Sequence, residues 1–233
     1  MDDTTQLFES HRGWRVLLTS SIRRANRDLV LRGEADGFLP GPAVEAPAQL
    51  PSFRARAGLQ DHASWVDVVN AVAAIPYGRA PGRAGRDALA AWRGTCSTKH
   101  YLLRALLDEG WPQIHVETWH RVYLVSREWT ASTFGDATAA SVPEQGLMDV
   151  HTYLVVHVDQ EARRLDVTFP LARPWAGSGS MDLRCGEGLD VPAGVFPDRT
   201  KRSLVALHCD PKAREAFIAG LAGGGGERSP SRE

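Results

Sequence analysis

After Gly110 the hydrophobic pattern of this chain changes period, and that change restricts the available folds more than any single residue does. Before it, apolar residues recur at helical spacing. Trp65, Val68, Val69, Val72 and Ile75 predict one helix, with Asp61 as its cap and Pro76, Gly78 and Pro81 as its end. A short second helix is expected around Asp87 to Trp92. A third runs from Cys96 through Leu102, Leu103, Leu106 and Leu107 to Gly110, with Thr95 available as N-cap. Beyond Gly110 the period is two. Ile114, Val116, Thr118, His120, Val122 and Leu124 would share one strand face, and residues 150–158 and 163–168 are further β-type runs. Helices first and antiparallel strands second make an α+β layout rather than alternating βαβ units. Near the end, Asp210 as N-cap and Pro211 at the first helical position open a last helix through Phe217, Ile218 and Leu221.

The flanks read differently. Residues 1–36 carry Leu7, Phe8, Trp14, Ile22 and Leu29 among many charges, the spacing of an N-terminal helical extension that could contact a protein partner. Gly37, Pro40, Gly41, Pro42, Pro47 and Pro51 make residues 37–57 a Pro/Gly-rich linker, since neither a helix nor a central strand tolerates that density of proline. The main domain is expected over residues 58–222. Residues 223–233 hold nothing apolar to anchor them and are expected to be a disordered tail.

Composition excludes several function classes. Of the 233 residues, 43% are hydrophobic and 24% charged, which is ordinary for a folded chain. The net charge of −1 supplies no general field for nucleic acid or an anionic membrane. The most apolar stretch, Val66 to Ile75, is interrupted by Asp67 and Asn70 and is too short for a membrane span. The start, MDDTTQLFESHRGW, is acidic and lacks an apolar signal core, so a cytoplasmic location is expected. The three cysteines, Cys96, Cys185 and Cys209, are too few and odd in number for a disulfide framework, so each is core filler, metal ligand or nucleophile.

Cys96 is the one placed for chemistry. At the N-terminus of an apolar helix, unpaired N–H groups and the positive dipole end favour a thiolate, and they also favour an oxyanion on an attacked carbonyl. Leu103 and Leu107 lie on its helix face, which is equally the pattern of a small buried hydrophobe. A base and its orienter are found in VHTYLVVHVDQEARRLDVTFP. If Asp159-Gln160 is a two-residue hairpin turn, Asp166 falls opposite Tyr153 and therefore diagonal to His151, with roughly 7 to 8 Å between the backbones. A longer turn would shift the register and send Asp166 to the other face.

The segment RGTCSTKHYLLRALLDEG, then a strand, then a His heading one strand and LDVT ending the next, resembles the transglutaminase-like branch of the papain-like cysteine enzymes. The resemblance covers roughly residues 60 to 170. It implies a papain-like fold with a nucleophile helix packed on an antiparallel sheet, Cys96 as nucleophile, His151 as base and Asp166 as its orienter. It further implies acyl transfer or hydrolysis at an amide, of the protease, deamidase or transglutaminase type, on a peptide or small amide substrate and with no cofactor. The family's second oxyanion donor is an upstream Trp or polar side chain. Trp65, Tyr77 and Trp92 are the candidates here, with Trp65 preferred. Thr152-Tyr153 replaces the aromatic that usually follows the family's His, and Val167 stands where Pro is common, so substrate choice should differ. The loop from Ser126 to Met148 is long and polar, suiting a lid or a surface excursion.

His100, four residues after Cys96, is an auxiliary candidate that would raise the thiolate population, compete as base, or face solvent beside Lys99. A zinc site built from Cys96, His100 and Cys185 or His208-Cys209 lacks the closely spaced ligand pairs such sites use, so no metal is expected. Two rival functions remain. Arylamine N-acetyltransferases share Arg-Gly before the nucleophile motif and a similar His-to-Asp separation, although Thr168-Phe169-Pro170 departs from their Gly-Phe-Gly. The other rival is a catalytically silent binding module.

Overall fold

The structure is a computed structural model that describes residues 49–223. The expected helical extension over residues 1–36, most of the linker and nearly all of the C-terminal tail lie outside the described residues. Four helices come first: α1 (Leu50–Ala57), α2 (Trp65–Ala74), α3 (Gly85–Ala91) and α4 (Cys96–Gly110). Strand β1 (His115–Val125) follows, then α5 (Arg127–Phe134), α6 (Asp136–Ala139), β2 (Leu147–Val158), β3 (Glu161–Leu165) and β4 (Gly188–Pro192). Helices α7 (Pro197–His208) and α8 (Pro211–Gly223) close the described chain. The strands form one antiparallel sheet in the order β3-β2-β1-β4, so the α+β layout is the observed one. Among the described residues no helix is long and apolar enough to cross a membrane.

The core forms where the helical stripe meets the sheet. Leu102, Leu103, Leu106 and Leu107 of α4 are fully buried against Val68, Val69 and Val72 of α2 and Val116, Leu154 and Val156 of the sheet. Each such leucine contributes about 1.5 to 3 kcal/mol of burial. Helix α3 reaches α4 closely because residue 85 is glycine: a Cβ there would stand 2.5 Å from the Leu102 nitrogen. A second cluster joins Phe217 and Leu221 of α8 to Tyr123, Val125 and Leu147.

Three local expectations are corrected. The cap of α2 is Ser64, not Asp61, in a reciprocal box: the Asp67 amide donates to Ser64 Oγ at 3.2 Å and the Ser64 amide to Asp67 Oδ2 at 2.8 Å. Residues 50–57, assigned to the linker, form α1, because Pro51 suits a first helical turn and Phe53 is fully buried. The Glu109 carboxylate accepts from the Gln49 amide at 2.8 Å and from the Leu50 amide at 3.1 Å, placing a negative charge at that helix's positive end. The Ser126–Met148 stretch is not a plain loop. Ser126 caps α5 by accepting from the Trp129 amide, and α6 follows. Leu124 keeps the strand face it shares with Val116 to Val122, and is 44% exposed near the end of β1.

Candidate active site

Cys96 is the first residue of α4 and is buried. Thr95 occupies the N-cap position but its hydroxyl makes no capping bond, so it leaves the first-turn amides without a side-chain cap. The approach to Cys96 is held rigidly. Gly94 donates to the Pro76 carbonyl at 3.1 Å and accepts from the Gly78 amide at 3.2 Å, strapping Tyr77 beside the start of the helix. A Cβ at residue 94 would meet Thr98 Oγ1 at 2.7 Å, which accounts for the glycine in Arg93-Gly94-Thr95.

Lys201, on α7, donates from Nζ to Cys96 Sγ at 3.3 Å and to Thr152 Oγ1 at 2.8 Å. Burial pushes the Cys96 thiol up, but the Lys201 charge and the hydrogen bond and charge of His151 overcome it, and the thiol is lowered from 9.0 to about 6. Cys185 and Cys209 differ, because burial raises them to about 11 and about 12.

His151 and Asp166 meet as a buried pair, with His151 Nε2 2.7 Å from Asp166 Oδ2. The hairpin explains why. Asp159 and Gln160 both have positive φ, 51° and 65°, the backbone of a tight turn whose twist matches its strands. The turn pairs Val158 with Glu161 and Leu154 with Leu165, so Asp166 follows β3 diagonal to His151. Around the carboxylate, the Thr168 amide and hydroxyl donate to Oδ1 at 3.1 and 2.6 Å, and the Arg184 amide to Oδ2 at 2.7 Å. Burial pushes the Asp166 carboxyl up, yet the His151 charge and these donors hold it well below the usual carboxylate range. His151 answers in kind: burial opposes its charge, and Asp166 raises its pKa well above the ordinary imidazole value. With Nε2 committed to Asp166, Nδ1 is the nitrogen left for the thiol.

Two more histidines are buried nearby, and each is neutral. His100 Nε2 accepts from the Val167 amide at 3.0 Å, so Nδ1 carries the proton and donates to the Cys96 carbonyl at 2.6 Å. Burial lowers this imidazole to about 4. It is therefore neither a competing base nor a solvent-facing group, and both its nitrogens are spent on backbone. It ties the residue bearing the thiol to the residue after Asp166. Lys99 beside it is also buried, donating to the carbonyls of Ala73, Ile75 and Thr168 at 2.7 to 3.0 Å. His120 Nε2 donates to the Pro197 carbonyl at 3.0 Å, so Nδ1 accepts a hydrogen bond from the Thr152 hydroxyl at 3.1 Å. Burial lowers His120 to about 3. Thr152 Oγ1 is thereby oriented to accept from Lys201.

The thiol and His151 line a cleft with Tyr77, Asp149, Phe169 and Phe217. Asp149 is buried and paired with Arg214 Nε of α8 at 2.6 Å. Of the three sequence candidates for an oxyanion donor, Tyr77 alone lines the cleft, its phenol kept neutral by burial. Trp65, the preferred one, packs edge-on against Trp175, and Trp92 packs on Phe53 and beneath Arg56. Both tryptophans pack against the core: Trp65 from the first turn of α2, and Trp92 from the left-handed residue that ends α3. Lys201, Thr152 and the Asp149–Arg214 pair escaped sequence reasoning. Lys201 and Leu204, three apart, form the buried stripe of α7, but a lysine at a core position looks like a surface residue until its partner is known. Comparison of the chain with family models, curated proteins and solved structures returns no match.

Proposed function

We propose that this protein is a cysteine-dependent acyl-transfer enzyme of the transglutaminase-like kind, with a papain-like arrangement of Cys96, His151 and Asp166 acting on a peptide or small amide. One observation carries the reading: a thiol lowered to about 6 lies in the same cleft as an imidazole whose far nitrogen is 2.7 Å from a buried carboxylate. That is the constellation nucleophilic catalysis requires.

In this mechanism the Cys96 thiolate attacks the amide carbon and the carbonyl π electrons move to oxygen. The first-turn amides of α4 and the Lys201 ammonium offset the charge on that oxygen. His151, resting as imidazolium, gives its Nδ1 proton to the departing amine as the C–N bond breaks, leaving a thioester on Cys96. Water or a second amine then attacks the thioester, with His151 as base, and the thiolate is released. Asp166 stays ionised throughout and holds the imidazole by Nε2.

The test is alkylation of the whole chain over a pH series with mass mapping of each cysteine. Cys96 is expected to label from about pH 6, well below Cys185 and Cys209. In His151→Ala the thiol keeps Lys201 but loses the His151 charge and hydrogen bond, so it rises and its labelling at pH 6 falls by about tenfold. Equal labelling of wild type and His151→Ala would leave a silent binding module, whereas a stable acetyl adduct from acetyl-CoA would favour acetyl transfer over amide chemistry.

A further inference from the structure

At the far end of the β1–β2 pair, His115 stands directly opposite His157, and Glu117 is two residues along β1 on the same face. Each offers one ligand atom, and the three atoms lie within 4.8 Å of one another. Glu117 Oε1 is 3.5 Å from His115 Nε2 and 3.3 Å from His157 Nε2. A tetrahedral ion with bonds of 2.0 to 2.1 Å sets its ligands about 3.3 Å apart, so both spacings match an ion seated between them.

We propose that His115, Glu117 and His157 bind a divalent transition-metal ion of the zinc type through the two Nε2 atoms and Glu117 Oε1. Two further observations support the site. His157 Nε2 is buried without a hydrogen-bond partner, so the nearby Glu117 oxygen does not satisfy it in the way an ion on its lone pair would. The other carboxylate oxygen, Oε2, accepts the Trp119 indole N–H at 2.8 Å, which fixes the carboxylate while Oε1 is presented to the ion. Two imidazoles and one carboxylate suit zinc, whereas calcium or magnesium would need more oxygens. The fourth position opens to solvent beside His115, whose side chain is 71% exposed, and water completes it. This site is independent of the cleft: His157 is six residues along β2 from His151, about 20 Å of strand.

The experiment titrates the tag-free full chain carrying Cys96→Ser, which removes the competing thiolate, with Zn²⁺ by calorimetry and by thermal unfolding. One ion per chain is expected. At a hundredfold excess over Kd it should raise Tm by about 5 to 10 °C. His115→Ala and Glu117→Gln should each weaken binding at least tenfold, and Trp119→Phe about tenfold. No binding, or binding unchanged by His115→Ala and Glu117→Gln, overturns the site. Circular dichroism verifies folding, and the exposed His115 keeps the test usable should another variant unfold.

Discussion

At one end of β1 and β2, His151 meets Asp166 at 2.7 Å with both side chains sealed from solvent. At the other, His115 and His157 meet Glu117 at 3.5 and 3.3 Å, with side chains between 38% and 71% exposed. Both pair imidazole with carboxylate, and the physics differs. In the exposed cluster water screens each contact, and an ion pair there contributes about 0 to 1 kcal/mol. In the buried pair neither partner has water to fall back on, so each dictates the other's protonation: the carboxyl is held ionised and the imidazole charged. The buried end is therefore suited to moving protons. The exposed end has lone pairs to spare for an ion.

The sharpest way to break this contrast is Asp166→Asn. It leaves the shape but removes the charge that holds His151, and amide turnover is expected to fall by about 10⁴-fold in steady-state assays. Lys201→Met comes next. Without the ammonium the Cys96 thiol should rise from about 6 toward its ordinary value, and its alkylation at pH 6 should drop by about tenfold or more. The sign follows from the folded value of about 6 lying below the ordinary 9.0: thiolate stabilisation is complete above pH 9 and lost as pH falls through about 6. His151, held charged over the same window, opposes that trend in Tm, so the pH profile of Cys96 alkylation is the readout.

A third substitution, His100→Leu, separates support from chemistry. It strands the buried Val167 amide and should cost about 2 to 3 kcal/mol, seen as a Tm lowered by about 4 to 10 °C. The smallest effect belongs to the exposed end. In metal-free protein Glu117→Gln should change stability by less than about 0.5 kcal/mol and leave the pH profile of Cys96 alkylation where it was. A shift in that profile would show that the two ends communicate and would undo the comparison.

Much of this architecture is legible along the chain because it depends on local periods. The leucines of α4 repeat at helical spacing, β1 alternates, and Asp159-Gln160 leaves two residues for a turn, from which the diagonal placing of Asp166 and His151 follows. Caps are harder to read. Asp61 and Ser64 both have capping side chains, and Ser64 acts because Asp67 is positioned to reciprocate. The rank of Trp65, Tyr77 and Trp92 was not legible either, since Trp65 on an amphipathic helix gives the same pattern facing core or cleft, and the places of Tyr77 and Trp92 depend on how the chain leaves α2 and α3.

Periodicity and turn chemistry belong to neighbouring residues, so the amino-acid order alone determined the helix that begins at Cys96 and the hairpin that joins His151 to Asp166. Which groups charge or stay neutral depended on partners far away in the chain. Lys201 is 105 residues from Cys96, and Arg214 is 65 from Asp149. Ionisation responds to distance and burial, and both come into being when the helices close over the sheet.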